Sequence, residues 1–175
     1  MIAVPPAAIE LAKRFEGFHR VPKDDPGRAR PYVCPAGYWT IGYGHLCDPH
    51  HPPITEAEGE VYLAQDLTNA LNATLRYCPV LATEPEGRLA AIVDFAFNLG
   101  TGRLQTSTLR RRINQRDWIG AAEELARWVY GGGRVLPGLT ARRATEAKLF
   151  RQRMGLNGHS AANVVPQASP SDRTY

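Results

Sequence analysis

Two short segments near the N-terminus of this 175-residue chain carry side chains suited to acid chemistry. Glu16 stands near the end of an apolar helical pattern, and residues 38–45 follow it with aromatic and β-branched residues and two glycines. Such a composition is typical of a twisted strand that turns back on itself, and here it presents Thr40 and His45. A carboxylic acid on a helix that faces such a hairpin predicts an acid-catalysed cleft.

These two segments resemble the phage-type lysozyme (endolysin) family, glycoside hydrolase family 24. That family begins with a helix that ends in Phe-Glu-Gly and continues with a hairpin of the form Trp-Thr-Ile-Gly-Tyr-Gly-His, as residues 15–17 and 39–45 do here. Residues 97–102, 105–109 and 135–139 also match the family, in its order. The resemblance therefore covers most of the chain.

The resemblance implies an α+β, lysozyme-like fold, in which a long helix joins a small antiparallel β-sheet lobe to a mainly helical lobe. The pattern agrees with it, since residues 32–47 are expected to form a small antiparallel sheet. A capping box at 55–58 opens a helical pattern that continues to Leu75. We expect a catalytic domain at residues 1–156 and, because bulky apolar residues become scarce, a disordered tail at 157–175.

The remaining pattern predicts one loop and several helices. Residues 19–31 are polar and rich in Pro and Gly, so we expect a loop, part of it an insertion at the edge of the cleft. The apolar stripe that stops at Gly100 indicates the most buried helix, which residues 83–86 are expected to cap. Further helices are predicted at about 106–114, at 117–130 with Asp117 as cap, and at 138–152.

Hydrolysis of a glycosidic bond needs a proton donor for the leaving oxygen and a group that places water on the opposite face. The resemblance implies that Glu16 is the donor, and burial beside Phe15 and Phe18 would keep its carboxyl protonated. It implies that Thr40 binds the water, since a hydroxyl both donates and accepts hydrogen bonds. The family usually has an aspartate six residues before this threonine, where this chain has Cys34.

Three interpretations of Cys34 are open. A thiol with the ordinary pKa of about 8.5 is only a few per cent ionised at pH 7, so it replaces little of a carboxylate's charge. It is then a weaker acceptor that orients the water, which we favour, or a nucleophilic thiolate, or a residue without chemical role beside Glu16 and Thr40. A thiolate nucleophile lacks an evident base, since nothing in the sequence places His19 or His45 beside it.

Further site residues follow from the resemblance. His45 and Asp66 are expected to form a structural pair between the sheet and the long helix. Either Arg142 or Arg143 matches the arginine that the family brings toward the catalytic glutamate, although a solvated helix face explains each of them nearly as well. For the sugar-binding cleft, the match indicates Leu46, Phe97, Thr108 and Glu124.

No metal and no cofactor are expected. A site built from Cys34, Cys47 and the pair at 50–51 is conceivable, but its spacing fits no common zinc pattern. The three cysteines form no disulfide framework, which indicates free thiols and synthesis in a reducing compartment.

The charge and the hydropathy of the sequence limit which classes of partner the protein is expected to bind. The net charge of +4 favours a polyanion or a solvated basic surface. The densest basic run, at 110–112, has no interleaved aromatic residues and no nucleic-acid motif, so attraction to the anionic cell wall or a merely solvated surface explains the charge better than nucleic acid does. No segment has the length of a membrane span or the pattern of a signal peptide. We expect a monomer without stable membrane association that stays in the host cytoplasm until, as the family implies, a holin permeabilises the membrane.

The leading hypothesis is a muramidase that hydrolyses the bond between N-acetylmuramic acid and N-acetylglucosamine in peptidoglycan, with inversion. A lytic transglycosylase on the same bond is the nearest alternative, because it needs only the glutamate and the aspartate is missing. A wall-binding protein without activity and a nucleic-acid-binding protein are the other classes. Retention of Glu16 and Thr40 argues against the former, and only the basic charge supports the latter.

Overall fold

The computed structural model describes residues 2–19, 23, 25–34 and 37–152; the predicted tail at 157–175 lies outside them. The elements are, in chain order, α1 (Pro6–Glu16), β1 (Arg28–Ala29), β2 (Tyr32–Val33), β3 (Trp39–Ile41), β4 (His45–Leu46), β5 (Ile54–Thr55), α2 (Glu56–Tyr77), a 3₁₀ helix (Pro79–Thr83), α3 (Glu86–Leu99), α4 (Thr101–Thr106), α5 (Thr108–Asn114), α6 (Trp118–Leu125), β6 (Tyr130–Gly131), β7 (Arg134–Val135) and α7 (Pro137–Arg151). The predicted α+β class, with a sheet lobe and a helical lobe, is confirmed.

Helix α3 is the centre of the helical lobe. Eight consecutive residues, Leu89 to Ala96, are buried, and α1, α2 and α7 pack around them. A helix that is apolar on every side must be covered on every side, as the stripe before Gly100 predicted. Asp94 is the one acidic residue within that buried run, which marks it as a group with a specific partner.

Helix α2 connects the two lobes, and its start is fixed by the predicted capping box. The Thr55 hydroxyl accepts from the Glu58 backbone N–H at 3.3 Å, and the Glu58 carboxylate accepts from the Thr55 N–H at 2.7 Å. Both bonds satisfy N–H groups that the first turn leaves unpaired. The helix packs on β4 and β5 at this end and on α3 further along.

The sheet lobe holds a three-stranded antiparallel sheet in the order β2-β3-β4. Tyr32 pairs with Thr40, and Thr40 with Leu46, so these three side chains form one row across one face. The turn between β3 and β4 requires positive φ at Gly42 (59°) and Gly44 (90°), which explains both glycines of the motif.

Some predicted boundaries are wrong. Residues 28–29 of the predicted loop form β1, which pairs with β5. The helix predicted at about 106–114 begins at Thr108 as α5, because Ser107 ends α4 and its hydroxyl caps α5 by accepting from the Arg110 N–H at 3.0 Å. Asp117 caps α6 as predicted, accepting from the Gly120 N–H, but that helix ends at Leu125.

Two further differences concern turns. Helix α3 has no side-chain cap, because its N-cap residue is Pro85, which has no hydrogen-bonding side chain; Glu84 forms ion pairs with Arg88 and Arg116. Residues 131–135, for which no element was predicted, belong to the hairpin β6–β7, whose turn has positive φ at Gly132 and Gly133. Short strands of this kind escape a periodicity argument because two residues define no period.

Candidate active site

A cleft of about 820 Å³ lies where the end of α1, the three-stranded sheet and the end of α3 meet. Five of the predicted site residues line it, one from each helix and three from the sheet or the residue that follows β2: Glu16, Phe97, Cys34, Thr40 and Leu46. The chain segments that carry them are far apart in sequence, so the fold has gathered the acid, the hydroxyl and the thiol into one space.

Glu16 is the last residue of α1, and Gly17, with a φ of 68°, turns the chain away after it. The Glu16 side chain is 27% exposed, and its Oε1 accepts a hydrogen bond from Arg142. Its Oε2 faces the hairpin turn, 3.8 Å from the point where a Cβ at Gly44 would stand. The carboxyl is thus held on one side by a cation and open to the cleft on the other.

The predicted aromatic surroundings of Glu16 are half right. Phe15 lies beneath the guanidinium of Arg142, with 5.6 Å between the Cζ atom and the ring centre. Phe18 points elsewhere and packs on Tyr43, with ring centres 5.6 Å apart, because the turn at Gly17 carries it into the sheet lobe. The expected enclosure of Glu16 by both rings is therefore wrong for Phe18.

Arg142, and not Arg143, is the arginine that reaches Glu16. Its Nε and Nη2 atoms donate to the two carboxylate oxygens of Asp94 at 2.9 and 2.7 Å. Burial opposes the charged form, but the hydrogen bonds and charge of Asp94, together with Glu16, raise the pKa of Arg142. A bidentate pair fixes the guanidinium in one plane, which orients the third nitrogen toward Glu16.

The alternative of a solvated face for the two arginines is wrong, since both are buried. Arg143 donates to Asn98 Oδ1 at 3.0 Å and to Glu146 Oε1 at 2.5 Å, and Asn98 in turn lines the cleft. Sequence analysis missed Asp94, Asn98 and Glu146. A signal existed: the glutamate three and four residues after the two arginines lies on their helix face.

Thr40 and Cys34 lie on the opposite wall. Thr40 is buried, and its hydroxyl donates to the Tyr32 carbonyl at 3.4 Å, which leaves its lone pairs for another donor. Cys34 follows β2 and is a partly exposed free thiol. Its N–H donates to the Tyr38 carbonyl at 2.9 Å, and its carbonyl accepts from the Gly37 N–H at 2.8 Å, which fixes its backbone at the cleft rim.

His45 and Asp66 are in contact, with 2.9 Å between Nδ1 and Oδ2. The imidazole also stacks on Tyr62, with ring centres 4.4 Å apart, and the Tyr62 hydroxyl is 3.2 Å from His51 Nε2. The contact joins β4 to α2. Among the described residues, His45 forms no hydrogen bond or ion pair with Glu16 or Cys34, so this geometry is that of a tie between the lobes.

Thr108 and Glu124 are not among the described residues that line the cleft. Thr108 is the first residue of α5 and accepts from Arg111 at 3.3 Å. Glu124 lies on α6, where Arg127 donates to it at 3.3 Å and Arg112 is 3.9 Å away. Their role in binding sugars remains a prediction.

The three cysteines differ in environment. Burial raises the pKa of the Cys78 thiol to about 12, and burial with the charge of Asp48 raises that of Cys47. Across the part of the chain that the structure describes, no three His, Cys, Asp or Glu side chains stand together as metal ligands. Within the same residues, none of the helices combines the length and apolar character needed to cross a membrane.

Comparisons with known proteins agree with this geometry. The family model described as phage lysozyme matches residues 13–146. The SAR-endolysin of Bacteriophage PS119 is 39% identical over 121 residues, which are 68% of this chain and 71% of that relative.

Two solved structures are similar throughout the fold. The muramidase domain of SpmX from Asticaccaulis excentricus has a TM-score of 0.72 and 28% identity, over 87% of this chain and 99% of that one. An endolysin from Escherichia coli O157:H7 phage FAHEc1 has a TM-score of 0.70 and 26% identity, over 86% of this chain and 94% of that one. The chain belongs to the phage lysozyme family and is a glycoside hydrolase of the lysozyme type.

Proposed function

We propose that this protein is an endolysin that hydrolyses the β-1,4 bond between N-acetylmuramic acid and N-acetylglucosamine in bacterial peptidoglycan, and thereby lyses the host cell. One observation carries the proposal. A carboxyl held by an arginine, at Glu16, and a hydroxyl with free lone pairs, at Thr40, line the same cleft from opposite walls. An acid on one face of the scissile bond and a water site on the other are what direct hydrolysis requires.

In the proposed reaction Glu16 donates its proton to the oxygen of the leaving sugar. Thr40 and Cys34 hold a water molecule on the opposite face. Its oxygen attacks the anomeric carbon as the bond from that carbon to the leaving oxygen breaks, which inverts the configuration, and the proton that the attacking water loses passes to bulk water. Arg142 stabilises the carboxylate that Glu16 becomes, because its guanidinium already donates to Oε1 and needs no rearrangement.

The substrate is proposed to lie along the cleft as a glycan strand. Leu46 and Phe97 offer apolar surface to the sugar rings from the two walls, and Leu46 is largely exposed there. Thr108 and Glu124 would contact the strand only beyond the part of the cleft that those two residues line. We expect the protein to act as a monomer, without metal or cofactor.

A lytic transglycosylase is the second candidate, and Cys34 favours it. That reaction has no attacking water, since a hydroxyl of the substrate attacks, so it can proceed where the usual aspartate is missing. Mass spectrometry of the fragments released from purified peptidoglycan separates the two reactions. Hydrolysis yields reducing ends, whereas anhydro-muramic ends would overturn the proposal in favour of the transglycosylase.

A wall-binding protein without activity is tested separately. The turbidity of permeabilised cells should fall on addition of the protein, and unchanged turbidity with the protein bound to cells would contradict the enzymatic proposal. The basic charge makes binding to the anionic wall salt-dependent in either case.

The route to the wall completes the proposal. We infer that the protein accumulates in the host cytoplasm and reaches peptidoglycan once the membrane is permeabilised. Fractionation of expressing cells tests this, because the protein should be in the soluble fraction and lysis should require permeabilisation. Lysis without it, with the protein in the membrane fraction, would indicate a different route.

A further inference from the structure

A buried ion network extends from the cleft wall into the helical core. Arg142 contacts Glu16 and Asp94, and its Nε is 3.8 Å from Glu146 Oε1. Arg143 donates to the same Glu146 oxygen at 2.5 Å. Glu16 is partly exposed, and the other four side chains are at most 3% exposed. The Arg142 guanidinium thus contacts all three carboxylates, and Glu146 Oε1 connects it to Arg143.

The charges of this network do not balance when every group is ionised. Two guanidinium groups carry +2 at any accessible pH, and three carboxylates carry −3. A net charge in a buried site is costly, whereas one retained proton makes the network neutral. Both oxygens of Asp94 accept hydrogen bonds from Arg142, so the geometry favours Glu16 or Glu146 as the place of the proton.

Glu146 has the geometry of a group that holds a proton. Its Oε1 is next to both arginines, while its Oε2 is buried without a hydrogen-bond partner among the described residues. Burial raises the pKa of Glu146, the neighbouring Asp94 raises it further, and Arg143 and Arg142 oppose them without cancelling the rise. The buried residues of α6, which also packs on α7, carry no charge, and from α1 only Glu16 joins the network.

We propose that Glu146 is a positioning residue that shares one proton with Glu16 through Arg142, so that one of the two carboxyls is protonated while the other is ionised. The proposal rests on the proposed role of Glu16 as the acid. When Glu16 is protonated for catalysis, an ionised Glu146 keeps the network neutral. When Glu16 has given its proton to the leaving oxygen, uptake of a proton from water by either carboxyl restores neutrality.

The pH dependence of lysis tests this coupling. In Glu146→Gln the network is neutral only with Glu16 ionised, so the alkaline limb of the pH–activity profile should move down by about one pH unit. Arg143→Gln removes a positive charge and should move the same limb up. If Glu146 and Arg143 are merely structural, the two substitutions should lower activity or stability but should not shift the alkaline limb in opposite directions. Glu84→Gln is the matched control, since Glu84 is also a largely buried glutamate paired with two arginines, and its limb should not move.

A carboxyl titration followed by ¹³C NMR tests the coupling without any activity. In Glu16→Gln the network is neutral with Glu146 ionised, so the Glu146 titration midpoint should fall by about one pH unit. An unchanged midpoint overturns the proposal, whether or not the parent lyses cells. The Glu146 midpoint can fall in Glu16→Gln while the alkaline limb of the pH–activity profile does not move in Glu146→Gln. That combination supports proton sharing but contradicts the assignment of Glu16 as the acid.

Discussion

The two walls of the cleft are built on different principles. The helical wall carries charge: Glu16, Arg142 and Asp94 come from three helices that pack tightly around one another. The sheet wall carries a hydroxyl and a thiol, with Thr40 on the three-residue strand β3 and Cys34 directly after the two-residue strand β2. One wall is fixed by ion pairs in the core, and the other by a few backbone hydrogen bonds.

This difference indicates where the site tolerates change. On the helical wall each charged group is the partner of another, so loss of one leaves a buried charge uncompensated. On the sheet wall Cys34 is a partly exposed free thiol and takes part in none of the ion pairs among the described residues. A thiol can therefore stand where relatives have a carboxylate, without a cost to the fold. The charged wall should be intolerant of substitution and the sheet wall tolerant.

The largest expected effect is on the acid itself. Glu16→Gln should keep the fold and lower the lytic activity by about a hundredfold or more, because the amide has the same shape but cannot donate the proton. Turbidity assays with circular dichroism as the folding control measure this. Activity above about a tenth of the parent would refute the role of Glu16.

The second test concerns the arginine. Arg142→Met should lower the free energy of unfolding by about 3–5 kcal/mol, because Asp94 then lies buried without its cation. Urea denaturation measures it. Arg116→Met is the control and should cost less than about 1 kcal/mol, because the Arg116 side chain is largely exposed and Glu84 keeps its second partner, Arg88. Equal losses would show that the two pairs do not differ as we describe.

Stability should also depend on pH through Glu146. Burial raises the pKa of this group to about 10, so the folded state retains a proton that the unfolded state releases above its ordinary value of 4.5. Its contribution is full below that ordinary value and is lost as pH rises toward 10. Glu146→Gln has no such proton. From pH 5 to pH 9, its free energy of unfolding should therefore rise by about 1 kcal/mol or more relative to that of the parent. The free energy of unfolding of both proteins is measured by urea denaturation at pH 5 and at pH 9. The same difference between variant and parent at the two pH values would contradict this prediction.

The sheet wall is tested by three substitutions at Cys34. If the thiol orients the water, Cys34→Asp should keep or raise activity, Cys34→Ser should lower it a few-fold, and Cys34→Ala should lower it further. A nucleophilic thiolate predicts that Asp and Ser both lose most activity and that a covalent glycosyl adduct can be trapped. Alanine equal to the parent, or an inactive folded aspartate variant, would exclude the water-orienting role.

The smallest effect is expected at the tie between the lobes. Asp66→Asn should lower the free energy of unfolding by about 1 kcal/mol and the Tm by roughly 2–4 °C, because the partly buried contact with His45 loses its charge. Glu60 is on α2, as Asp66 is, and forms an exposed pair with Lys13 of α1. Glu60→Gln breaks that pair and should change the Tm less. Indistinguishable melting curves would show that the His45 contact contributes no stability.

The sequence was sufficient wherever local rules decide the structure. The capping box at 55–58, the apolar stripe of α3 and the glycines of the hairpin follow from hydrogen bonding, burial and φ within a few residues. The ordered motifs identified the family, and from that resemblance came the predictions that Glu16 is the acid and that Thr40 binds the water. The boundaries that failed, such as the break at Ser107, depend on a single side chain competing for a backbone N–H.

Tertiary structure alone decided how the charges are arranged. Arg142 and Arg143 are adjacent and identical in type, and only the packing of α7 on α3 aims the first at Glu16 and Asp94 and the second at Asn98 and Glu146. The same packing buries Asp94 in the most apolar helix and turns Phe18 away from the acid. Electrostatic interactions act between residues that are distant in sequence, at strengths set by burial, so no pattern along the chain could assign them.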